Sequence, residues 1–275
     1  MAPDPAKWVN ASVIGIPLAR YIPPGGLFFA RFPGMSGPPS ARGYNPAITE
    51  GAAMGRTLNL SPAPGVAITA YRADPQGMPR GGLVVIQEIF GVNSHIRSVC
   101  DGYAADGYLA VAPALFDRIE PGVDIGYTPP DIARGRGLRG KAGDDHALQD
   151  IAAARDVAAQ AGKVGVVGYC WGGYLAWLSA ARVSGLACAI CYYGGGMHEA
   201  IDEKPKVPVL AHFGEKDSMI PVSGVKKLAA AHPSAEVHIY PADHGFNCDQ
   251  RGSFHAESAK LARERSLAFL RKYVG

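Results

Sequence analysis

The chain lacks the sequence features of nucleic-acid-binding, membrane-spanning and repeat proteins. Its net charge over 275 residues is only +3, so nothing favours nucleic acid or a membrane surface as a partner. It has no run of 18 apolar residues, so the sequence predicts no transmembrane helix. Internal repeats are also absent. Because 48% of the residues are hydrophobic, the chain can bury one large core.

Cysteine is scarce, and its odd count is informative. Five cysteines cannot all pair with one another, which is typical of a reducing compartment, so we expect a cytoplasmic protein. An exported protein is the alternative. Cys188 and Cys191 have a C-x-x-C spacing, but they lie in the apolar run 186–193. Residues three apart on a strand face opposite sides, so we interpret both as core residues.

Metal-binding motifs are weak. His244 and Cys248 have a ligand-like spacing, but no second pair accompanies them. The sequence therefore predicts no metal and no organic cofactor.

The first 54 residues lack regular hydrophobic periodicity. Eleven of the 22 prolines lie at or before Pro64. The apolar patch 13–19 contains Pro17, so it is a poor signal-peptide core. We therefore divide the chain into a Pro/Gly-rich N-terminal extension, residues 1–54, and a single domain, residues 55–275. The extension is either disordered, draped over the domain or a partner subunit, or upstream of a natural start at Met54.

From residue 65 onward the pattern alternates between strands and helices. Predicted strands are 66–71, 83–87, 108–112, 164–167, 186–192, 207–213 and 236–240, and predicted helices are 94–106, 145–160, 172–183, 222–231 and 254–272. Ser94 and either Asp144 or Asp145 are the predicted N-caps. Residues 117–143 are interpreted as a long polar connection. Strands regularly separated by helices predict an α/β fold, with a mostly parallel sheet and helices on both faces.

The most informative segment is Gly168-Tyr169-Cys170-Trp171-Gly172-Gly173, directly after an apolar run. It is typical of a nucleophile elbow, in which a strand, a sharp turn carrying the nucleophile and a helix follow one another. The turn strains its central residue, so small residues are needed two positions before and after it, where Gly168 and Gly172 lie. The central residue is Cys170, whose thiolate would attack acyl carbons well at a helix N-terminus. A buried structural cysteine is the alternative.

Two further candidates follow the elbow in chain order. Asp217 comes just after the apolar run 207–213, and His244 lies in the loop after the short strand 236–240. A lone histidine before glycine is more often a turn residue than a catalyst. The order nucleophile, acid and histidine at successive strand ends is nevertheless that of a hydrolase triad. His244 is therefore the candidate base and Asp217 the candidate acid.

The strand 83–87 supplies further site candidates. Glu88 ends this strand at the edge of the sheet where ligands bind in open α/β folds. A helix N-terminal acid or a solvated glutamate is the alternative interpretation. The elbow leaves the Trp171 N–H available for an oxyanion, and the Ile89 N–H is the expected second donor.

The segments 85–93, 168–173, 214–217 and 244–247 together resemble the dienelactone hydrolase (carboxymethylenebutenolidase-like) family of the α/β-hydrolases. The resemblance covers roughly residues 55–275. It implies an α/β-hydrolase fold, a triad of Cys170, Asp217 and His244, and Glu88 near the thiol. Phe90 and Tyr169, which lie in the matching segments, are candidates for substrate contact.

The resemblance also implies that arginines bind a substrate carboxylate. The family uses one arginine from the connection 117–143, where we favour Arg134 over Arg136, and a second shortly after the catalytic histidine. This chain departs from the pattern, because the position four after His244 is Cys248 and the nearest arginine is Arg251. A solvated charged face is the alternative for the arginines of the connection.

These features predict a cysteine-dependent hydrolase that opens a lactone or small carboxylic ester through a thioester acyl-enzyme. A general carboxylesterase on neutral esters is the first alternative, and a non-catalytic α/β-hydrolase scaffold that binds a ligand is the second. The expected partner is a small-molecule substrate, with neither nucleic acid nor membrane. The chain is expected to be a monomer or a homodimer.

Overall fold

The apolar runs of the sequence form an eight-stranded sheet in the computed structural model, which describes residues 55–275. The N-terminal extension predicted over residues 1–54 lies outside the described residues. The strands are β1 (Gly55–Ala63), β2 (Val66–Ala73), β3 (Gly81–Ile86), β4 (Tyr108–Pro113), β5 (Val164–Tyr169), β6 (Leu186–Tyr192), β7 (Val209–Gly214) and β8 (Glu236–Tyr240).

Their order across the sheet is β1-β2-β4-β3-β5-β6-β7-β8. The pairs β1–β2 and β2–β4 are antiparallel, and every other neighbouring pair is parallel. The mostly parallel sheet predicted from the alternating pattern is therefore confirmed. The antiparallel edge strand β1, nine residues long, was not predicted.

Residues 55–275 also form six α-helices: α1 (Ser94–Ala105), α2 (Pro129–Lys141), α3 (Asp144–Ala158), α4 (Trp171–Arg182), α5 (Val222–Ala231) and α6 (Ala256–Tyr273). Two adjacent glycines of β3 show that both faces are covered. A Cβ added at Gly81 would lie 2.5 Å from Val274, just after α6, and one added at Gly82 would lie 2.2 Å from the Ala158 carbonyl oxygen of α3. Neighbouring strand residues face opposite sides, so α3 and the end of α6 lie on opposite faces. Within residues 55–275, no helix is long and apolar enough to cross a bilayer.

Helix α2 lies within the segment that the sequence analysis interprets as a polar connection, and that interpretation is wrong over residues 129–141. The helix begins with a capping box, in which Thr128 and Asp131 satisfy each other's backbone N–H groups, and Pro129 follows the cap. Three glycines in the helix hide its periodicity. One of them, Gly135, is needed for packing, because an added Cβ would lie 2.3 Å from the Ile89 carbonyl oxygen.

The predicted N-caps of two other helices are also wrong. The N-cap of α1 is Asn93 rather than Ser94, and its side-chain oxygen accepts a hydrogen bond from the Ile96 N–H at 3.2 Å. The N-cap of α3 is Gly143, which has no side-chain bond, while Asp144 and Asp145 lie in the first turn. Acidic residues there still interact favourably with the helix dipole.

The fold places the chemistry at one edge of the sheet. Strands β3 and β5 are buried along their whole length, as expected for central parallel strands covered on both faces. Their carboxyl ends lead to Glu88 and Cys170, and those of β7 and β8 lead to Asp217 and His244. Because parallel strands end at the same edge, the four candidate side chains meet there.

Candidate active site

Cys170 occupies a strained turn between β5 and α4. Its φ of 55° and ψ of −116° lie in a region that non-glycine residues rarely adopt. The turn leaves no room for side chains on either side: a Cβ at Gly168 would lie 1.9 Å from the Gly172 carbonyl oxygen, and one at Gly172 would lie 2.5 Å from the Gln87 carbonyl oxygen. The glycines two before and two after the thiol are therefore required by close backbone packing.

The three side chains proposed as a triad form a continuous chain of contacts. The distance from His244 Nε2 to Cys170 Sγ is 3.1 Å, and that from His244 Nδ1 to Asp217 Oδ2 is 2.7 Å. The other oxygen of Asp217 accepts hydrogen bonds from the backbone N–H groups of Met219 at 2.9 Å and Ile220 at 3.2 Å. The carboxylate is thus fixed in place, and it orients the imidazole toward the thiol.

The surroundings of His244 favour its charged form. Burial by itself would lower the pKa of His244, but the adjacent Cys170 sulfur and the Asp217 carboxylate outweigh burial and raise the pKa above its ordinary range. A positively charged imidazole beside the sulfur stabilises a thiolate. The arrangement can therefore supply a nucleophile and its proton carrier together.

Glu88 is held by two polar partners. The carboxylate is 1% exposed, and its Oε1 accepts from Arg251 Nη1 at 3.2 Å while its Oε2 accepts from the Tyr127 hydroxyl at 3.3 Å. The guanidinium of Arg251 also lies over the rings of Phe90 and Tyr127, 5.9 Å and 5.8 Å from their centroids. The buried negative charge is thus paired with a cation enclosed by aromatic rings.

A glycine allows Arg251 to reach Glu88. Gly245, directly after His244, has a φ of +76°, and an added Cβ would lie 2.4 Å from Arg251 Nη1. Arg251 therefore folds back toward Glu88 and is not one of the residues that line the cavity beside Cys170.

That cavity has a volume of about 520 Å³. It is lined by Arg139, Cys170, Trp171, Tyr174, Gly195, Gly196, Glu199, Ala200, Met219 and His244. Arg139, the last arginine of α2, has its guanidinium 5.0 Å from the centre of the Trp171 ring and its Nη2 3.1 Å from Asp144 Oδ1. Arg139 therefore lines the same cavity as Cys170 and His244.

The other arginines of α2 face elsewhere. Arg134 is exposed and paired with Glu120, and Arg136 is exposed. Neither residue lines the cavity beside Cys170. The sequence analysis did not select Arg139, although it lies four residues after the buried Gly135, one helical turn along the same face.

The two aromatic candidates are buried rather than exposed to the cavity. Phe90 packs edge-on against Tyr127, with ring centroids 4.6 Å apart. Tyr169 stacks on Tyr192 at 4.8 Å and lines a different cavity, about 370 Å³ in volume, between α1 and α6. Tyr127, which contacts Glu88, is a second residue that the sequence analysis missed, because no motif marks it.

The two backbone N–H groups predicted to bind an oxyanion are those of Trp171 and Ile89. Among residues 55–275, neither the Trp171 N–H nor the Ile89 N–H donates a hydrogen bond to the protein. The first lies at the N-terminus of α4, where backbone donors have no intrahelical partner. Both groups thus remain available to a ligand at the elbow.

The sheet order, the elbow between β5 and α4 and the residues that end β7 and β8 define an α/β-hydrolase. The chain belongs to the dienelactone hydrolase family, whose profile matches residues 68–274. This confirms the family resemblance and the fold class inferred from the motifs.

Curated relatives and solved structures agree with this assignment. A protein of Synechocystis sp., provisionally named carboxymethylenebutenolidase, is 37% identical over 229 residues, covering 76% of this chain and 93% of the relative. One from Escherichia coli K12, with the same provisional name, is 34% identical and covers 78% of this chain and 86% of its own length. A provisionally named dienelactone hydrolase from Klebsiella pneumoniae superposes with a TM-score of 0.70 at 34% identity, covering 80% of this chain and 99% of that one.

Proposed function

We propose that this member of the family is a cysteine-dependent hydrolase that opens a lactone or small carboxylic ester through a thioester acyl-enzyme. One observation carries the proposal: Cys170, His244 and Asp217 are linked by contacts of 3.1 and 2.7 Å beside a cavity of about 520 Å³. A non-catalytic scaffold has no need for a strained thiol aligned with a buried imidazole.

The chemistry follows from the order of the contacts. The Cys170 thiolate attacks the ester carbonyl carbon and forms an S–C bond. The C–O bond then breaks as the His244 Nε2–H gives its proton to the leaving oxygen. A water molecule then gives a proton to His244 and attacks the thioester carbonyl carbon, and the C–S bond breaks. The sulfur leaves as a thiolate beside the protonated His244, which restores the resting pair. Asp217 orients the imidazole and stabilises its charged form throughout.

The negative oxygen of each tetrahedral intermediate would accept hydrogen bonds from the N–H groups of Trp171 and Ile89. Fixed backbone donors of this kind stabilise charge where it develops in the transition state. Gly135 bears on this arrangement, because α2 packs directly on the Ile89 carbonyl. The helix thereby holds the peptide that follows Glu88.

Glu88 acts on the thiol through its charge. A carboxylate near the sulfur repels the thiolate, and Arg251 offsets that repulsion. When the pair separates on substrate binding, the carboxylate could accept the thiol proton, which is the role that the family resemblance implies. Replacing Glu88 by Gln should therefore slow ester turnover while making the resting thiol easier to alkylate.

The nucleophile is tested by comparing Cys170→Ala, His244→Ala and Asp217→Asn with the parent protein on a small aryl ester. We expect the first two to lose at least about a thousandfold in kcat/KM, because triad members act as a unit. Mass spectrometry of parent protein quenched during turnover should detect an acyl group on Cys170. Cys188→Ala, which alters a buried thiol of β6, is the matched control. A Cys170→Ala variant with most of its activity would refute the assignment.

Arg139 is the residue we propose to bind a substrate carboxylate, in place of Arg134 or Arg136. Guanidinium binds carboxylates bidentately, and Arg139 lies at the cavity that holds the thiol. The alternative, a preference for neutral esters, is favoured by Asp144, which already pairs with Arg139, and by Glu199 on the same cavity. The charge of the substrate therefore distinguishes the two functions.

The test compares an anionic and a neutral ester of equal size. Arg139→Gln should remove a preference for the anionic substrate of about 1.5–3 kcal/mol, or roughly 10- to 150-fold in kcat/KM, the range for hydrogen bonds to charged groups. Arg136→Gln, an exposed arginine of the same helix, is the control. Equal rates of the parent on both substrates would favour the general carboxylesterase.

A further inference from the structure

Three buried side chains with metal-binding atoms converge next to the candidate active site. They are Glu88 after β3, His95 in the first turn of α1 and Cys248 in the loop before α6, with exposures of 1%, 4% and 0%. Each offers one ligand atom, and these atoms all lie within 4.8 Å of one another. A carboxylate, an imidazole and a thiol are thus gathered in one buried place from three separate parts of the chain.

The two ring nitrogens of His95 have different surroundings. Its Nδ1 lies 3.4 Å from Asp249 Oδ1. Its Nε2 is buried and has no hydrogen-bond partner among residues 55–275. Metal-binding histidines generally direct one ring nitrogen to a carboxylate and the other to the metal. A buried ring nitrogen without a hydrogen-bond partner is otherwise costly, so the buried Nε2 of His95 points to a ligand.

Glu88 and Cys248 can complete the site. A carboxylate has about four lone-pair positions, and Arg251 and Tyr127 each contact one of the Glu88 oxygens. Sulfur, nitrogen and oxygen are the donors that Zn²⁺ takes in proteins. At the usual bond lengths, tetrahedral zinc ligands lie roughly 3.5 Å apart, so the side chains would close by about 1 Å.

A second cavity borders one member of the cluster, His95. The cavity of about 370 Å³ between α1 and α6 is lined by His95, Asn247 and Asp249, and the Asp249 side chain is 68% exposed. Cys170 and His244 line the other cavity. A metal ion could therefore reach His95 without passing the thiol of the elbow.

We propose that Glu88, His95 and Cys248 form a zinc site separate from Cys170, with water as the fourth ligand. Binding forms a Zn–S bond, and the Cys248 thiol releases its proton to solvent with no change of oxidation state. A metal ion on Glu88 occupies the carboxylate that the proposed function uses to accept the thiol proton, so occupancy should inhibit ester turnover. This last consequence rests on the proposed function, whereas the site itself does not.

Cobalt(II) is the probe, because cobalt–thiolate bonds absorb in the near ultraviolet. The titration uses tag-free full-length Cys170→Ala protein, in which the elbow thiol cannot contribute. We expect a charge-transfer band that saturates at one equivalent and is competed away by Zn²⁺. It should vanish in Cys170→Ala/Cys248→Ser and persist in the control Cys170→Ala/Cys188→Ser. Asp249→Asn, which removes only the carboxylate next to His95 Nδ1, should raise the Kd for cobalt about 10- to 100-fold.

Several results would overturn the site. The first is the absence of a cobalt–thiolate band in the Cys170→Ala protein, and the second is a band that survives Cys248→Ser. If far-ultraviolet circular dichroism shows that Cys248→Ser does not fold, His95→Gln decides, and an unchanged Kd in that variant refutes the proposal. If Zn²⁺ inhibits Cys248→Ser as strongly as the parent, inhibition does not arise from this site, and that consequence is refuted. The cobalt titration then tests the site by itself.

Discussion

The buried ion pair between Glu88 and Arg251 allows a quantitative test of the site's electrostatics. Glu88 is 1% exposed, whereas the Arg251 side chain is 18% exposed and lies 3.2 Å from the carboxylate. Replacing Arg251 by Met leaves a buried carboxylate with the Tyr127 hydroxyl as its remaining partner at 3.3 Å. The variant therefore exposes the cost of an uncompensated buried charge.

The expected cost follows from comparable buried pairs. Removing one partner of a buried ion pair destabilises by about 3–5 kcal/mol. The hydrogen bond from Tyr127 and the partial exposure of Arg251 reduce this energetic cost. We therefore expect Arg251→Met to lower the free energy of unfolding by about 2–4 kcal/mol. For a domain with a total stability of roughly 5–15 kcal/mol, this is a large fraction.

A double-mutant cycle isolates the pair. Urea denaturation followed by far-ultraviolet circular dichroism would be measured for Arg251→Met, Glu88→Gln and the double variant at pH 7. The double variant removes the buried charge together with its partner, so it should be more stable than Arg251→Met alone. We expect a coupling energy of about 1.5–3 kcal/mol. Arg251→Lys, which keeps the charge but not the planar fork, should fall between parent and Arg251→Met.

The same variants should change the reactivity of Cys170. Arg251→Met removes a positive charge and leaves the Glu88 charge unmatched, so alkylation of the thiol by iodoacetamide should slow. Glu88→Gln should accelerate it. A cost below about 0.5 kcal/mol for Arg251→Met, together with equal alkylation rates in all variants, would show that the pair does not control the site.

Three further predictions concern the scaffold. Burial, with His238 and Arg265 nearby, lowers the pKa of His212 well below its ordinary range. Below about pH 6.5 the unfolded chain therefore binds a proton that the folded protein does not, so the free energy of unfolding should fall as the pH drops. The urea midpoint should fall less steeply with pH in His212→Gln than in the parent, and equal pH dependence in the two would exclude His212 as the cause. Gly168→Val should abolish activity and lower the melting temperature, because a Cβ there would lie 1.9 Å from a carbonyl oxygen. Gly137→Ala, whose added Cβ meets open space on α2, should stabilise the protein by about 0.5–1 kcal/mol. Similar melting temperatures for the two variants would contradict this account. Deleting residues 1–54 should leave the melting temperature and ester turnover unchanged, since the sheet and the triad candidates lie within residues 55–275. A melting temperature lower by more than about 4 °C, near 1 kcal/mol for a domain of this size, would show that the segment stabilises the domain.

The features that the sequence by itself determined are those encoded by neighbouring residues. Alternating apolar runs of strand and helix length predict the parallel sheet, because a strand covered on both faces must be apolar throughout. The paired glycines around Cys170 predict the elbow, because only glycine tolerates the 1.9 and 2.5 Å approaches at those positions. The order of Asp217 and His244 at later strand ends predicts that they meet Cys170, because parallel strands end at one edge.

The tertiary structure decided which side chains surround that edge. Tyr169 and Cys170 are adjacent in sequence, yet they line different cavities. Tyr169 lines the cavity between α1 and α6, and Cys170 lines the cavity that also contains His244 and Arg139. Arg139 reaches the thiol's cavity, while Arg134 faces solvent, because α2 packs through Gly135 on the Ile89 carbonyl. These directions depend on close approaches between segments far apart in sequence, which no local pattern records.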